Sequence, residues 1–287
     1  MANDEFKEAR PTPNNAKERS SSRSTFRRSA PNARKAPPPK TLPLAECALF
    51  FDVDGTLIDI AARPSEVVGD AELLQLLRTL RRRCQDALAL VSGRRIADLD
   101  RITAPERFTA AGLHGFERRT AGGHCVRRAP PLASKMGEVR RVLAQLASAH
   151  PQLLLEDKDY ALAVHYRQAP HLRAVVERAI RGLPDLQGSG LKVQQGRMVA
   201  EIAPRDASKA TALAEFMDEP PFKGRLPVYV GDDLTDESAF QWVNAAGGLS
   251  VDVSRRQSSC ARTHLASVGA VRAWLHALTE AGAGGRA

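Results

Sequence analysis

Cys47-Ala-Leu-Phe-Phe-Asp-Val-Asp-Gly-Thr-Leu57 places two aspartates directly after a run of apolar residues. The apolar run, residues 48–51, predicts a short buried strand that ends at Asp52, Asp54 and Gly55. Two carboxylates at the end of a buried strand are costly unless a cation holds them. In open α/β sheets, binding sites form at the carboxyl ends of the strands. The stretch therefore predicts a metal-assisted carboxylate site with one aspartate free to act as a nucleophile, and the plain alternative is an Asx turn closed by Gly55.

Three further apolar runs predict strands of the same sheet. They lie at residues 87–91, 226–231 and 248–253. Between the runs, apolar residues recur at helical spacing, with Asp70 as the candidate N-cap of the first helix. The helices are predicted at residues 70–80, 96–102, 208–217, 237–244 and 269–279. Strands that alternate with helices in this way predict an α/β fold with parallel strands and crossover helices.

Residues 131–204 follow a different pattern. Their predicted order is helix, two strands, helix and two strands, and the strands alternate apolar and polar residues. Such an order builds a compact two-layer α+β unit. We therefore predict a core domain of residues 44–130 and 205–280, a smaller inserted domain of residues 131–204, and a C-terminal tail of residues 281–287. The pair Gly122-Gly123 predicts a hairpin turn before the insert.

The first 43 residues are predicted to form a disordered basic tail. Ser, Pro, Arg and Asn dominate residues 1–40, and so few apolar side chains cannot bury enough surface to offset the ordering entropy. This segment carries ten basic and four acidic residues, which is +6 of the net charge of +9. Because the rest of the chain is nearly balanced, the charge alone does not predict nucleic-acid binding. An RNA-binding arm or an organelle transit peptide is the alternative for the tail.

The composition and the start of the chain predict a cytoplasmic protein. Apolar residues make up 43% of the chain, which suffices for a core, and no run of about 18 apolar residues could span a membrane. The start of the chain contains acids and no apolar stretch, unlike a secretory signal. Only 5% of residues are aromatic, and the body has no basic stripe. We therefore expect no nucleic-acid or membrane partner, and we expect a monomer.

Side chains that carry chemistry fall at the ends of predicted strands or at the start of a helix. In a parallel sheet these positions meet at one edge. They are Asp52, Asp54, Ser92, Lys209, Asp232, Asp233 and Asp236. Carboxylates at this density repel each other without a divalent cation, and oxygen ligands favour Mg²⁺. The metal is expected among the five aspartates, with Asp52 and Asp232 as side-chain ligands and the backbone carbonyl of Asp54 as a third ligand.

The same set of residues predicts phosphoryl transfer. Lys209 and Ser92 offer a positive charge and a hydroxyl to phosphoryl oxygens. Our hypothesis is that Asp52 attacks phosphorus and forms an aspartyl-phosphate. Asp54 protonates the leaving alkoxide and then deprotonates the water that cleaves the intermediate. Taken singly, each residue also has an ordinary role, such as an N-cap serine or a solvated lysine, but their joint order along the chain favours catalysis.

These motifs resemble those of the haloacid dehalogenase-like (HAD) superfamily, and of its phosphatases in particular, because an acid lies two residues after the nucleophile. Over residues 44–278 the chain resembles the trehalose-6-phosphate phosphatase family of the bacterial OtsB type. Six segments carry this resemblance: Phe50–Leu57, Ala87–Arg94, Gly112–Arg118, His165–Pro170, Glu201–Lys209 and Gly231–Glu237. It implies Mg²⁺-dependent removal of phosphate from trehalose 6-phosphate. It also implies a Rossmann-like parallel-sheet HAD core with an inserted α+β cap of the C2 type.

For the sugar, the resemblance implies polar groups that face the hydroxyls as the cap closes. The candidates are Arg94, His114, Gly115, Glu117, His165, Arg167 and Glu201. Each has an ordinary alternative, such as a surface charge or a histidine with a structural partner. Two functional alternatives also stay open. One is a phosphatase of another sugar phosphate, of the sucrose or mannosyl-glycerate type, and the other is a non-catalytic sensor of trehalose 6-phosphate.

Overall fold

The computed structural model describes residues 35–61, 67–128, 133–183, 190–196, 198–254 and 258–281. Its strands are β1 (Cys47–Phe51), β2 (Leu88–Val91), β3 (Thr109–Gly112), β4 (Glu117–Arg119), β5 (Cys125–Arg127), β6 (Leu154–Asp157), β7 (Leu162–His165), β8 (Leu191–Gly196), β9 (Val199–Pro204), β10 (Leu226–Gly231), β11 (Leu249–Asp252) and β12 (Thr263–His264). Its α-helices are α1 (Ala71–Arg83), α2 (Ile96–Ile102), α3 (Ala133–Ala149), α4 (Arg173–Arg181), α5 (Lys209–Met217), α6 (Glu237–Ala245) and α7 (Val268–Ala281). None of the helices in these ranges is long and apolar enough to cross a bilayer.

The larger of two sheets has eight strands in the order β12-β11-β10-β1-β2-β3-β4-β5. The strands from β12 to β3 are parallel, while β4 and β5 extend the sheet in antiparallel fashion. The predicted turn at Gly122-Gly123 joins β4 to β5, so the hairpin is confirmed. The predicted α/β fold with parallel strands is confirmed as well. Sequence reasoning missed β12, because two residues are too short to show a pattern.

The central strand β1 brings the first aspartate to the edge of this sheet. All five of its residues are buried, as expected for a parallel strand covered on both faces. Phe51 of β1 pairs with Val230 of the neighbouring β10. The residues that follow the two strands, including Asp52 and Asp232, therefore leave the sheet side by side at its carboxyl edge.

Two helix starts are set by side-chain caps. The Asp70 carboxylate accepts a hydrogen bond from the backbone N–H of Leu73 at 2.7 Å, which confirms the predicted N-cap of α1. The Ser208 hydroxyl accepts one from the backbone N–H of Thr211 at 3.0 Å and so places Lys209 in the first turn of α5. The Phe216 ring of α5 lies 6.0 Å from the Phe50 ring of β1, which packs this helix against the sheet.

The smaller sheet has four antiparallel strands in the order β6-β7-β9-β8, and together with α3 and α4 it forms what we call the cap unit. Its own apolar cluster includes Leu143 of α3, Val176 of α4, and Val164 and Ile202 of the sheet. The order of helices and strands is the one predicted for the insert. The exact domain limits, 131–204 for the insert and 44–130 with 205–280 for the core, stay a prediction.

The expectation of disorder is wrong for the last part of the predicted tail. Residues 35–43 are ordered against the core: the indole N–H of Trp274 donates to the carbonyl of Pro39 at 2.8 Å, and Lys35 Nζ donates to the carbonyl of Ser259 at 2.7 Å. Pro38 is buried, and Leu42 packs against the apolar core. A few apolar and hydrogen-bonding groups suffice here because the core offers them partners. Residues 1–34, which carry most of the predicted tail, lie outside the described residues.

A chain that starts at residue 44 should therefore be less stable than one that starts at residue 35. We expect the free energy of unfolding to fall by about 1–3 kcal/mol, from the lost hydrogen bonds and apolar contacts. Urea unfolding followed by circular dichroism measures the difference. Equal midpoints for the two chains would show that residues 35–43 contribute nothing to the fold.

Candidate active site

The structure gathers most of the predicted site residues around one cleft. Those that line it are Asp52, Asp54, Ser92, Arg94, His114, His165, Arg167, Glu201, Lys209, Asp232 and Asp233. Carboxylate oxygens of Asp52, Asp232 and Asp236 lie within 4.8 Å of one another. The cleft measures about 910 Å³ with its open mouth included.

Lys209 lies between two of the aspartates. Its Nζ is 3.0 Å from Asp52 Oδ1 and 2.5 Å from Asp236 Oδ1. Burial alone would lower the pKa of the Lys209 ammonium, but Asp236 and Asp52 outweigh burial and hold that pKa above the usual lysine value. Burial also raises the pKa of Asp52 well above its usual range, although Lys209 opposes the shift. Lys209 is therefore charged, whereas Asp52 needs further positive charge to stay ionised.

Asp236 is a fully bonded carboxylate. Its Oδ1 accepts hydrogen bonds from Lys209 Nζ and from the Tyr229 hydroxyl. Its Oδ2 accepts from the backbone N–H groups of Asp232, at 2.9 Å, and Asp233, at 2.8 Å. A carboxylate has about four lone-pair sites, and all four are used. Although Asp236 lies close enough to share an ion with Asp52, it has no free lone pair for one.

Asp232 is the aspartate of this cluster that has a buried oxygen, Oδ1, without a hydrogen-bond partner among the described residues. Burial raises the pKa of Asp232 to about 7, and the carboxylates of Asp236 and Asp233 add to the effect. A Cβ at Gly55, whose φ is +78°, would lie 2.2 Å from Asp232 Oδ2, so glycine is required for this close approach. An orphaned buried carboxylate beside Asp52 fits a hard divalent cation such as Mg²⁺.

Two of the predicted metal ligands have other partners for their side chains. Arg94 forms a bidentate ion pair with Asp54, with Nε–Oδ2 at 2.6 Å and a second N–O distance of 2.7 Å. Asp233 Oδ1 accepts from the backbone N–H of Leu234 at 2.7 Å and caps the following turn. With Asp236 also saturated, the side chains of Asp52 and Asp232 are the best placed of the five aspartates to hold an ion, and the full set stays a prediction.

Gly115 and Glu117 contact the first residues of helices that flank the site. The Glu117 carboxylate accepts from the backbone N–H of Ile96 at 2.5 Å and caps α2. Gly115, with φ +97°, allows close contact with Ser208, since a Cβ would lie 2.7 Å from the Ser208 carbonyl. Neither residue lines the cleft. Their contact with the sugar stays a prediction, and the proposed sugar contacts below are limited to residues that line the cleft.

The face of the small sheet that lines the cleft is polar. Glu156, Ala163, Glu201 and Gln194 pair in one row across the four strands, and His165 lies in the next row on the same face. Three of the four residues in the first row line the cleft. The alternate residues, which include Val164 and Ile202, face α3 and α4.

A buried lysine that sequence reasoning missed joins the cap unit to the core. Lys158 Nζ donates to the carbonyl of Gly93 at 2.9 Å and to Glu201 Oε2 at 3.1 Å. His114 Nε2 lies 3.6 Å from the same Glu201 oxygen. Burial would raise the pKa of Glu201, but the neighbouring Lys158 ammonium outweighs burial and holds that pKa far below the usual range. Lys158 lies just after β6 in the charged run Glu156-Asp157-Lys158-Asp159, which in a sequence looks like a solvent-exposed segment. No local pattern therefore indicated that Lys158 is buried at the cleft.

Two buried atoms of this cluster point to an absent polar partner. Among the residues that the structure describes, His114 Nδ1 and Glu201 Oε1 lack hydrogen-bond partners. Burial lowers the pKa of His114, so its imidazole is held neutral. A neutral ring nitrogen and a carboxylate oxygen on one cleft match the hydroxyl groups of a sugar.

Comparison with known sequences places these residues in a family. The profile of the family described as Trehalose-phosphatase matches residues 50–268. Over 244 residues the chain is 42% identical to trehalose-6-phosphate phosphatase of Escherichia coli (strain K12), which covers 83% of this chain and 88% of that protein. It is 39% identical over 209 residues to the probable trehalose-phosphate phosphatase of Sinorhizobium fredii (strain NBRC 101917 / NGR234), covering 72% of this chain and 77% of the relative.

Solved structures show the same fold. The C-terminal domain of trehalose-6-phosphate phosphatase from C. albicans matches with a TM-score of 0.75 at 22% identity, over 87% of this chain and 99% of that chain. A phosphatase of the HAD superfamily from Bacteroides thetaiotaomicron matches with a TM-score of 0.55 at 17% identity, over 83% and 95%. With a profile match across most of its length and relatives at this level of identity, the chain belongs to the trehalose-phosphatase family.

Proposed function

We propose that the protein is a Mg²⁺-dependent phosphoric monoester hydrolase that converts trehalose 6-phosphate to trehalose and phosphate. One observation carries this proposal: the cluster of Asp52, Lys209 and Asp232 faces the polar side of the small sheet across a single cleft. The cluster suits a phosphoryl group, and the opposite wall suits sugar hydroxyls. The relatives are trehalose-phosphate phosphatases by name, which supports the same substrate.

In the first step of the proposed mechanism, a carboxylate oxygen of Asp52 attacks phosphorus. Lys209 binds Oδ1 of Asp52, so the other oxygen is the nucleophile. The new bond joins this oxygen to phosphorus, and the bond from phosphorus to the sugar oxygen breaks. Lys209 has a third N–H that can donate to a phosphoryl oxygen, and Ser92, whose Oγ lies on the cleft, can donate a second hydrogen bond.

Asp54 is the proposed acid and base. Its proton passes to the sugar alkoxide as the first bond breaks. In the second step Asp54 takes a proton from water, whose oxygen attacks phosphorus and releases Asp52 as a carboxylate. Arg94 forms two hydrogen bonds with the Asp54 carboxylate in this structure, so Asp54 takes up a proton from solvent and gives up one of these bonds before it acts as the acid.

The metal has a defined place in this scheme. The carboxylates of Asp52 and Asp232, with the backbone carbonyl of Asp54, would hold Mg²⁺. When bound, the ion would offset the buried negative charge and stabilise charge that develops on the phosphoryl oxygens. This set is smaller than the one predicted from the sequence.

The small sheet supplies the proposed sugar contacts. Glu201, Lys158 and His114 form one buried cluster, and His165 Nε2 lies 2.8 Å from Glu156 Oε2 nearby. Arg167 donates to the carbonyl of Ala61 in the core loop and lines the cleft. These groups can form hydrogen bonds with the sugar hydroxyls only when the cap unit lies over the core. Sugar recognition is therefore coupled to the exclusion of water.

The remaining expectations stay proposals. A cytoplasmic, monomeric protein without nucleic-acid or membrane partners fits the composition. A phosphatase of another sugar phosphate shares every residue of the phosphoryl site and differs only in the small sheet. A non-catalytic sensor is disfavoured, because a pure binder has no need for a nucleophile, a buried lysine and an orphaned carboxylate together.

A substrate panel tests the proposed function directly. Purified protein with Mg²⁺ should release phosphate from trehalose 6-phosphate with kcat/KM at least about tenfold above glucose 6-phosphate, sucrose 6-phosphate and mannosyl-glycerate phosphate. EDTA should abolish the release, and added Mg²⁺ should restore it. A better rate on another sugar phosphate would transfer the proposal to that substrate, and binding of trehalose 6-phosphate without turnover would favour the sensor.

Asp52→Asn removes the charge of the nucleophile without changing its volume. We expect turnover to fall at least about a thousandfold, because binding cannot replace a covalent nucleophile. Asp252→Asn is the matched control, since Asp252 is also a buried aspartate at the end of a parallel strand but does not line the cleft. Phosphate release and circular dichroism are measured for both. Turnover in Asp52→Asn at the level of the control would reject the nucleophile assignment.

Glu201→Gln separates sugar recognition from phosphoryl chemistry. We expect kcat/KM for trehalose 6-phosphate to fall about 100-fold, because the buried charge that holds Lys158 and His114 is lost. Hydrolysis of p-nitrophenyl phosphate, which has no sugar, should change by less than about threefold. Glu177→Gln, a change on α4 away from the cleft, is the control. Equal losses on both substrates would remove Glu201 from sugar recognition.

A further inference from the structure

Tyr229 brings a buried hydroxyl to the phosphoryl site from inside the sheet. The residue lies in β10, between Phe50 of β1 and Ser250 of β11 in the strand register, and it is fully buried. Its hydroxyl donates to Asp236 Oδ1 at 2.5 Å. Its ring meets the Phe240 ring edge-on, with centroids 5.6 Å apart, so the side chain is held by core packing.

The oxygen that Tyr229 contacts is the one that holds Lys209. Asp236 Oδ1 receives both the Tyr229 hydroxyl and Lys209 Nζ, and Lys209 Nζ also contacts Asp52 at 3.0 Å. A chain of hydrogen bonds therefore runs from the sheet interior to the proposed nucleophile. Tyr229 does not line the cleft and cannot touch substrate.

We propose that Tyr229 is a positioning residue: it fixes the Asp236 carboxylate, which in turn aims Lys209 at Asp52 and at the transferred phosphoryl group. The proposal rests on the phosphatase function proposed above, but not on the identity of the sugar.

Tyr229 is a more rigid hydrogen-bond donor to Asp236 than Lys209 is. The two backbone N–H groups fix Oδ2 of Asp236, but Oδ1 needs its own donor to set the plane of the carboxylate. Lys209 reaches it on a flexible four-carbon stem, which can follow the carboxylate as readily as hold it. Tyr229 has a rigid ring packed in the core. The rigid donor therefore positions the acceptor, and the acceptor positions the flexible lysine.

Preorganised charge of this kind acts mainly on the transition state. A misdirected Lys209 still neutralises a bound phosphate, but it stabilises less well the charge that shifts as the bond to the sugar breaks. Loss of the Tyr229 hydroxyl should therefore lower kcat and leave KM nearly unchanged. A residue that serves only the fold would lower stability and leave kcat of the folded protein unchanged.

Tyr229→Phe removes only the hydroxyl and is the first variant. We expect kcat to fall about tenfold with both trehalose 6-phosphate and p-nitrophenyl phosphate, while KM stays within about twofold. Ser250→Ala is the matched control: it deletes a buried hydroxyl from the adjacent register position, where Ser250 bonds Asn244 and the backbone of Arg262, away from the site. Its kcat should equal that of the parent protein. Equal kcat for Tyr229→Phe and Ser250→Ala would overturn the proposal.

Two further measurements separate positioning from a general structural effect. On an Asp236→Asn background, Tyr229→Phe should change kcat by less than about twofold, since the tyrosine acts through that carboxylate. Replacing Tyr229 with 4-aminophenylalanine, which keeps an N–H donor at the same end of the ring, should retain kcat within about threefold of the parent, and it also serves as the test if the phenylalanine variant does not fold. A full tenfold effect on the Asp236→Asn background, or loss of activity in the amino variant, would contradict the mechanism. A parent protein with no phosphatase activity would instead overturn the proposed function.

Discussion

The structure depends on how one lysine balances the aspartates gathered at the carboxyl edge of the large sheet. Lys209 contacts Asp52 and Asp236, yet burial still raises the pKa of both Asp52 and Asp232. A single ammonium does not offset this much buried negative charge, so the carboxylates stay ionised only with further positive charge nearby. The parallel register of β1 and β10 is the cause of this buried negative charge and also of the site, because it places the ends of two acidic motifs side by side.

The sequence was enough to predict that the site residues lie close together, but not which aspartate has which role. A parallel sheet brings the ends of its strands together, so the positions of Asp52, Lys209 and Asp232 follow from strand order and residue type. Three aspartates within residues 232–236 are chemically alike in a sequence. Only the fold shows that Asp236 turns back under the strand and fills its lone pairs, which leaves Asp232 with the free oxygen.

Residues whose roles depend on a second element escaped prediction. Lys158 lies in a turn rich in charges, and its function appears only when that turn meets the carbonyl of Gly93 on the core. Glu117 caps α2, which no local pattern records because the N–H that it accepts from, that of Ile96, is 21 residues away in the sequence. Residues 35–43 look disordered by composition, although a single buried proline and the Trp274 indole suffice to hold them. Local patterns predict elements and strand ends, while contacts between elements decide these cases.

The contacts between the cap unit and the core end on the loop that carries the catalytic groups. Lys158 bonds the carbonyl of Gly93, between Ser92 and Arg94, and Glu201 links Lys158 to His114 of the core. Some of the groups that join the cap unit to the core are therefore also groups proposed to meet the sugar. Binding energy from the sugar can then be used to stabilise the closed arrangement, in which water is excluded and the charges act at full strength. A phosphate ester without the disaccharide cannot supply that energy, so it should lose turnover and not affinity alone. In this proposal the same closure of the cap unit selects the substrate and raises the rate. Substrates are therefore distinguished by how well they stabilise the transition state.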